Sequence, residues 1–247
     1  MKLHDVLLII PAYNEEKNIG GVLQAMVDYG IMEKMDVLVI NDGSKDKTAE
    51  IASQYPVEVI SQVFNMGYGA ALQTGYKYAA DYGYEYLLQM DADGQHDLKN
   101  LELLYQKLCD LPQDGQKQPD IVIGSRFLEG SQSFPMSKIR IFAINMFRAV
   151  IFAATGYRLT DPTSGLQGLN RKAFIYYAGY SNFDIKYPDL NMVVQMLLLG
   201  FHIEEFPAIM HLRTEGVPMH SGIWHAIQYM VVMSLSTFNA ILRYHRK

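Results

Sequence analysis

Short apolar runs recur along the chain, each closed by a cluster of polar or turn-forming residues. Val6-Leu7-Leu8-Ile9-Ile10 runs into Pro11, residues 35–40 end at Asn41-Asp42-Gly43-Ser44, and residues 57–62 and 121–125 repeat the form. Another run, Tyr86-Leu87-Leu88-Gln89-Met90, stops abruptly in Asp91-Ala92-Asp93-Gly94-Gln95-His96. Apolar runs of this length, bounded by turn signals, read as strands buried on both faces, the pattern of a parallel sheet. Helical stretches lie between them: residues 18–29, residues 46–55 with Ser44 or Asp46 as N-cap, and a third opened by Asn65-Met66-Gly67-Tyr68-Gly69 and running to about residue 82. This alternation predicts right-handed βαβ units and an α/β fold, a mainly parallel sheet flanked by helices.

The second half is less regular. Residues 111–119, with Pro112, Gly115 and Pro119, form an exposed linker, and an apolar, basic helix is expected over 136–155. Thr160-Asp161-Pro162-Thr163-Ser164-Gly165 is a polar loop, Arg171 opens a helix, residues 189–199 form another, and 203–211 read as a strand. Residues 222–242 carry no formal charge. That length could cross a bilayer, for which about 20 apolar residues suffice. His225, Gln228, Ser234, Ser236, Thr237 and Asn239 instead favour a helix lying on a membrane surface or against a protein. The expected division is a domain over 1–215 and a C-terminal amphipathic helix within 216–247.

Ligands of parallel sheets bind outside the carboxyl ends of the strands. Tyr13 to Glu15, Asn41-Asp42 and Asp91 to Gln95 all fall at such ends. On an extended backbone Asp91 and Asp93 point the same way. Their mutual repulsion would be relieved by a divalent cation held through oxygen, with Gln95 adding a neutral oxygen. The same residues also read as a capped turn, in which aspartates accept bonds from nearby amides. An EF-hand loop through Asp91, Asp93, Gln95, Asp97 and Glu102 fails, because His96 stands where glycine is needed and a strand precedes it. A phosphoaspartyl nucleophile is a further reading that only neighbouring segments decide. Gly67-Tyr68-Gly69 is not a dinucleotide fingerprint, since Leu72 occupies the third small position and the turn does not follow the first strand.

Composition narrows the class. At 247 residues and 49% hydrophobic content the chain can build one large core. A net charge of −5 argues against a nucleic-acid partner. A lone Cys109 and the absence of a signal-peptide pattern before the first strand point to a cytoplasmic setting. Charge is unevenly spread: residues 130–160 hold Lys138, Arg140, Arg148 and Arg158 but no acid, and no acid follows Glu215. These segments suit an anionic surface such as the cytoplasmic leaflet.

Pro11-Ala12-Tyr13-Asn14-Glu15, Asn41-Asp42-Gly43-Ser44, Asn65-x-Gly-x-Gly and Asp91-Ala92-Asp93-Gly94-Gln95, in this order, resemble the family-two glycosyltransferases of the GT-A fold. Dolichol- or polyprenyl-phosphate sugar transferases are the most similar subgroup, and the resemblance covers roughly residues 5 to 215. It implies that Pro11, Ala12, Tyr13, Glu15 and Asp42 hold the nucleobase and ribose of a nucleotide-diphospho-sugar. Asp91, Asp93 and Gln95 would hold Mg²⁺ or Mn²⁺ on its diphosphate. Arg126 and Arg140 match phosphate-reaching arginines, and Ser164-Gly165 matches the acceptor loop, with Asp161 ahead of it and Arg213 as a weaker phosphate ligand. The implied reaction is inverting transfer to polyprenyl phosphate, with a sugar hydroxyl as the alternative acceptor. A membrane surface or small membrane protein is the implied partner, and homo-oligomerisation is left open. An idle scaffold and a nucleotide-sugar sensor are the non-enzymatic alternatives; intact Asp91 and Asp93 argue against the scaffold. Asn41 departs from a commoner aspartate, Leu98 from a proline, and Leu166-Gln167 from Phe-Arg. The multi-span C-terminal membrane domain of many bacterial relatives is not present in the sequence. His211 and His220 receive no role, and Asp189 reads as a helix N-terminal residue.

Overall fold

The computed structural model describes residues 2–110, 117–134, 136, 138–186, 188–212 and 223–244, with the side chains of 139, 140 and 223–229 outside the description. The expected linker over 111–119 therefore lies largely outside it. The predicted strands form β1 (Val6–Ala12), β2 (Asp36–Asn41), β3 (Glu58–Ser61), β4 (Tyr86–Gln89), β5 (Ile121–Ser125) and β7 (Ile203–Pro207). With β6 (Gln167–Asn170) they make one seven-stranded sheet in the order β3-β2-β1-β4-β6-β5-β7.

Neighbours are parallel except β6, which runs antiparallel to both β4 and β5. β6 has no apolar run to announce it. Gly168 sits at its centre because a Cβ there would come 2.7 Å from Leu108 and 2.9 Å from Leu104. The inserted strand carries the chain from the edge where β4 and β5 end back into the sheet. Gln167 pairs with both Gln89 and Ile123, so the loop before β6 enters the same edge.

Strand residues alternate between two cores, as a pleat requires. Leu7 and Ile9 join one cluster with Leu72 and Tyr76 of α3 (Tyr68–Asp81), Phe174 of α6 (Arg171–Ala178) and Val194 of α7 (Leu190–Leu198). Phe147 and Ile151 of α5 (Lys138–Thr155) and Met233 of α8 (Ile223–Tyr244) close the same face. Val6, Leu8 and Ile10 face α1 (Ile19–Tyr29), α2 (Thr48–Ala52) and α4 (Lys99–Cys109). Each fully buried Leu or Ile contributes about 1.5–3 kcal/mol, so the two-sided burial dominates the stability of the sheet.

Two elements are shorter than their patterns predict. The helix expected over 46–55 spans only Thr48–Ala52, because residues 44–47 are engaged in bonds to the β1 loop. The strand expected over 203–211 ends at Pro207, leaving single bridges at Ile209 and Met210. No described helix is long and apolar enough to cross a membrane.

Candidate active site

β1, β2, β4 and β5 share one direction, so Pro11 to Glu15, Asn41-Asp42, Asp91 to Gln95 and Arg126 meet at one sheet edge. The first two segments are laced together. Asn14 N donates to Ser44 Oγ at 3.0 Å, Lys45 N to Asn14 Oδ1 at 2.9 Å, and Glu15 N to Thr48 Oγ1 at 2.8 Å. Asn14 holds a positive φ of 54°, a conformation asparagine tolerates better than most residues. Tyr13 stays exposed, while the Glu15 carboxylate accepts from Asn18 Nδ2 at 2.6 Å. Pro11 and Ala12 are buried in β1.

Asp42 is buried, and its two oxygens accept from Met66 N at 2.8 Å and Gly67 N at 2.9 Å. It thereby fastens the glycine turn that opens α3. Asn41, at the position where aspartate is commoner, accepts from Ser44 N and donates to Ser61 Oγ. A neutral amide does both, which a carboxylate does not.

Asp91 receives a hydrogen bond from Tyr68 Oη at 3.1 Å and lies 3.8 Å from His96 Nε2. Burial works to raise its pKa, but the approach of His96, the Tyr68 hydroxyl and the charge of Arg126 prevail and hold it below the ordinary aspartate value. A Cβ on Gly165 would stand 2.8 Å from Asp91 Oδ2, so the loop before β6 lies directly against this carboxylate. Gln89 Nε2 donates to the Gly165 carbonyl at 3.2 Å, and Tyr76 Oη donates to Gln89 Oε1 at 2.6 Å. Ser164 is buried, with its Oγ accepting from Leu166 N.

The chain does not stay extended beyond β4. Residues 92 and 93 turn, and Asp93 Oδ1 accepts from Gln95 N at 3.1 Å. The extended geometry expected for Asp91 and Asp93 is thus replaced by a turn. A cleft of about 250 Å³ opens between α1 and that turn, lined by Lys17, Asn18, Met90, Asp93 and His96 among others. Gln95 Nε2 donates to the His211 carbonyl at 3.3 Å.

Two carboxylates and an amide oxygen fit a hard divalent cation in donor type. They do not form a complete cage, since no group of three or more His, Cys, Asp or Glu suited to a metal occurs among the described residues. Diphosphate oxygens and water would have to fill the remaining positions.

Arg126 and Asp161 meet, but not as free groups. Arg126 Nε donates to Asp161 Oδ2 at 2.6 Å and Nη2 to Oδ1 at 2.7 Å, with Arg126 N adding 3.0 Å to Oδ2. The pair is almost wholly buried, Arg126 at 6% exposure and Asp161 at 0%. Glu205 from β7 accepts from Thr160 N and Asp161 N, both at 2.7 Å, and burial raises its pKa. The side chain of Arg140 and all of Arg213 lie outside the described residues. Arg148 is turned inward, donating to the Thr160 carbonyl and stacking 4.6 Å over Phe127.

Tyr68, His96 and Gln89 are site residues that sequence reasoning passed over. Tyr68 and Gln89 answer to other segments, Tyr68 to Asp91 and Gln89 to Tyr76 and Gly165, which local pattern does not encode, whereas His96 approaches Asp91 of its own turn.

This edge has the arrangement of the GT-A fold. The family model for glycosyl transferase family 2 matches residues 7–177, and the chain belongs to that family of enzymes. A dolichyl-phosphate beta-glucosyltransferase of Trichomonas vaginalis is 33% identical over 67% of this chain and 51% of its own length. An undecaprenyl-phosphate mannosyltransferase of Micrococcus luteus is 32% identical over 65% of this chain and 64% of its own. The match thus spans about half to two thirds of these relatives. Among solved structures, mannosyl-3-phosphoglycerate synthase from Rubrobacter xylanophilus superposes with a TM-score of 0.65 at 16% identity, covering 98% of this chain and 74% of that one. Glucosyl-3-phosphoglycerate synthase from Mycobacterium tuberculosis, solved with Mn²⁺ and UDP, gives 0.63 at 16% identity over 97% and 79%. These likenesses establish the GT-A fold.

Proposed function

We propose that this chain transfers a sugar from a nucleotide-diphospho-sugar to a polyprenyl phosphate, with inversion and with a divalent cation, at the cytoplasmic face of a membrane. The observation that carries the choice of acceptor is the state of Asp161. A sugar hydroxyl has a high pKa and needs a general base within hydrogen-bond reach. Asp161, the carboxylate ahead of the Ser164-Gly165 loop, is buried and held in a fork by Arg126. A phosphate acceptor arrives as an anion and needs no such base. Relatives named for dolichyl-phosphate and undecaprenyl-phosphate substrates support the same reading.

In the reaction an acceptor phosphate oxygen attacks the anomeric carbon from the face opposite the leaving group. The bond to the donor diphosphate breaks, and its electron pair leaves with the nucleoside diphosphate. Mg²⁺ or Mn²⁺, held through Asp91, Asp93 and Gln95, would supply charge for that leaving group. Tyr68 and His96 keep Asp91 ionised and oriented. Pro11, Ala12, Tyr13 and Glu15 form the base and ribose wall, and Asp42 fixes the turn beside them. Arg126 acts as a positioning residue through Asp161, while Arg140 and Arg213 are assigned to the acceptor phosphate.

Product analysis with polyprenyl phosphate and saccharide acceptors, across UDP-, GDP- and dTDP-sugars, tests the proposal. Asp93→Ala should abolish transfer with the fold retained, chelation should mimic it, and added Mg²⁺ or Mn²⁺ should restore the wild-type rate. Arg140→Ala should damage transfer severely. Full activity in excess EDTA would remove the metal role, and glycosylation of saccharide hydroxyls alone would move the assignment to a polysaccharide-chain transferase.

A further inference from the structure

We infer that Asn100 is a positioning residue for the turn that receives the cation, acting through the backbone of residues 208–211; the inference rests on the cation reading above. Asn100 stands second in α4 and has no exposed surface. Its Nδ2 donates to the Ile209 carbonyl at 2.7 Å, and Ile209 N donates back to its Oδ1 at 2.9 Å. One side-chain amide thus satisfies both polar groups of a backbone residue 109 positions away, as a neighbouring strand would. Asparagine is a poor helix former, and a buried polar side chain is costly unless it is paired. The other buried residues of α4 are Leu101, Leu104 and Leu108, so Asn100 is the polar exception on the inward side of its helix.

The segment it grips lies against the turn itself. β7 ends at Pro207, and Ala208 N still donates to the Ser125 carbonyl at 2.8 Å. From Ile209 onward the chain also pairs with residues 95–97. Asp97 N donates to the Ile209 carbonyl at 3.2 Å and His211 N to the Gln95 carbonyl at 2.7 Å, with His96 and Met210 paired antiparallel between them. Gln95 Nε2 reaches the His211 carbonyl, so the backbone and the side chain of this proposed cation ligand both rest on the segment. On its other side Gln132 N donates to the Ala208 carbonyl at 3.0 Å and Met210 N to the Gln132 carbonyl at 2.7 Å.

These links differ in shelter. The Gln95 amide bond is open to water, and so is the His211 ring, whose Nε2 lies 3.0 Å from Asp97 Oδ2. Asn100 supplies a link from a fully buried side chain, where a hydrogen bond is stronger than in water. A ligand carried on a short turn binds only as well as that turn is held, which is why outer partners at metal sites matter to affinity.

The test uses the full chain with Mn²⁺ as the probe, free Mn²⁺ being counted by electron paramagnetic resonance. Asp93→Ala, which removes a ligand, gives the baseline. Asn100→Ala should weaken Mn²⁺ binding about tenfold, the scale of a lost outer partner. Leu101→Ala removes a core side chain one residue along the same helix but none of these bonds; it should melt at a lower temperature and bind Mn²⁺ as wild type does. Hydrogen exchange at the Asp97 and His211 amides, read without metal, should quicken in Asn100→Ala. In wild-type protein Mn²⁺ should slow exchange at the same two amides, because the coupling is reciprocal; that measurement decides the matter if Asn100→Ala does not fold. Unchanged Mn²⁺ affinity in folded Asn100→Ala overturns the inference. Equal weakening in Asn100→Ala and Leu101→Ala does so too, since it would mark a general loosening, and so does wild-type exchange that ignores bound Mn²⁺. Wild-type protein that holds no Mn²⁺ would instead remove the cation reading, while the metal-free exchange would still decide whether Asn100 fixes the turn.

Discussion

Asp161 has the largest consequence per atom in the site. Breaking one partner of a buried ion pair leaves the other charge uncompensated, at a cost of about 3–5 kcal/mol. Asp161→Asn should therefore lose stability on that scale in urea unfolding, and its transfer activity must be read at a temperature where it is folded. Under those conditions appreciable transfer to polyprenyl phosphate is expected, because a base is not required. The acid limb of stability belongs to other carboxylates. Asp46 is buried in part, which raises its pKa, but bonds from Thr48 and Glu16 lower it below 3.8 overall. Asp97 behaves alike through Lys99 N and His211. A depressed folded pKa gives stability that is present above the unfolded value and lost as pH falls through the folded one. Melting temperature should thus drop below about pH 4, and Asp46→Asn should flatten that limb. Glu205 has the opposite sign, since its raised pKa favours the fold at low pH and that gain fades as pH rises past 4.5. Residue types at strand ends were readable in advance from Pro11 to Glu15 and Asp91 to Gln95. Their bonding was not, because Asp42 answers to Met66 and Gly67, and Arg126 to a residue 35 positions away.

Element by element, the parallel part of the sheet was legible because β1, β2 and β4 have apolar centres and lead into punctuating polar residues. β6 was not, since Gln167-Gly168-Leu169-Asn170 owes its place to pairing on both sides rather than to any pattern of its own. Its arrival matters to function, because the turn leading into it brings Gly165 onto Asp91. Gly165→Ala is expected to cut transfer at least about tenfold while costing about 1–3 kcal/mol of stability, the range for overpacking. Steady-state rates beside a thermal melt check this. A variant with wild-type turnover would show that the loop and Asp91 separate freely. The helix over 46–55 was overestimated for a related reason: Asp46 and Lys47 bond to the β1 loop, and side-chain-to-loop bonds of this sort compete with helix.

At the scale of the molecule, α5 and α8 stand on the same side of the sheet and both expose apolar side chains. Ile141, Phe142 and Phe152 of α5 are exposed, and so are Val231, Leu235, Phe238 and Leu242 of α8, with Leu235 at 65% and Phe238 at 59%. The inward face of α8, with Met233, Thr237, Ala240 and Tyr244, is buried. A helix with one face in the core and the other apolar suits the plane of an interface rather than a span. Anionic lipid also fits the absence of acidic residues over 130–160 and after Glu215. Inserting a Leu and a Phe side chain contributes about 1.5–3 kcal/mol each. The double variant Leu235→Glu/Phe238→Glu should therefore cut vesicle binding well over tenfold while its melting temperature stays near wild type, since neither residue belongs to the core. Flotation with phosphatidylglycerol vesicles at low salt measures it directly. Wild-type protein should rise with the vesicles and the variant should remain below. Wild-type protein that stays at the bottom would count against membrane contact and leave the exposed stripe to a protein partner.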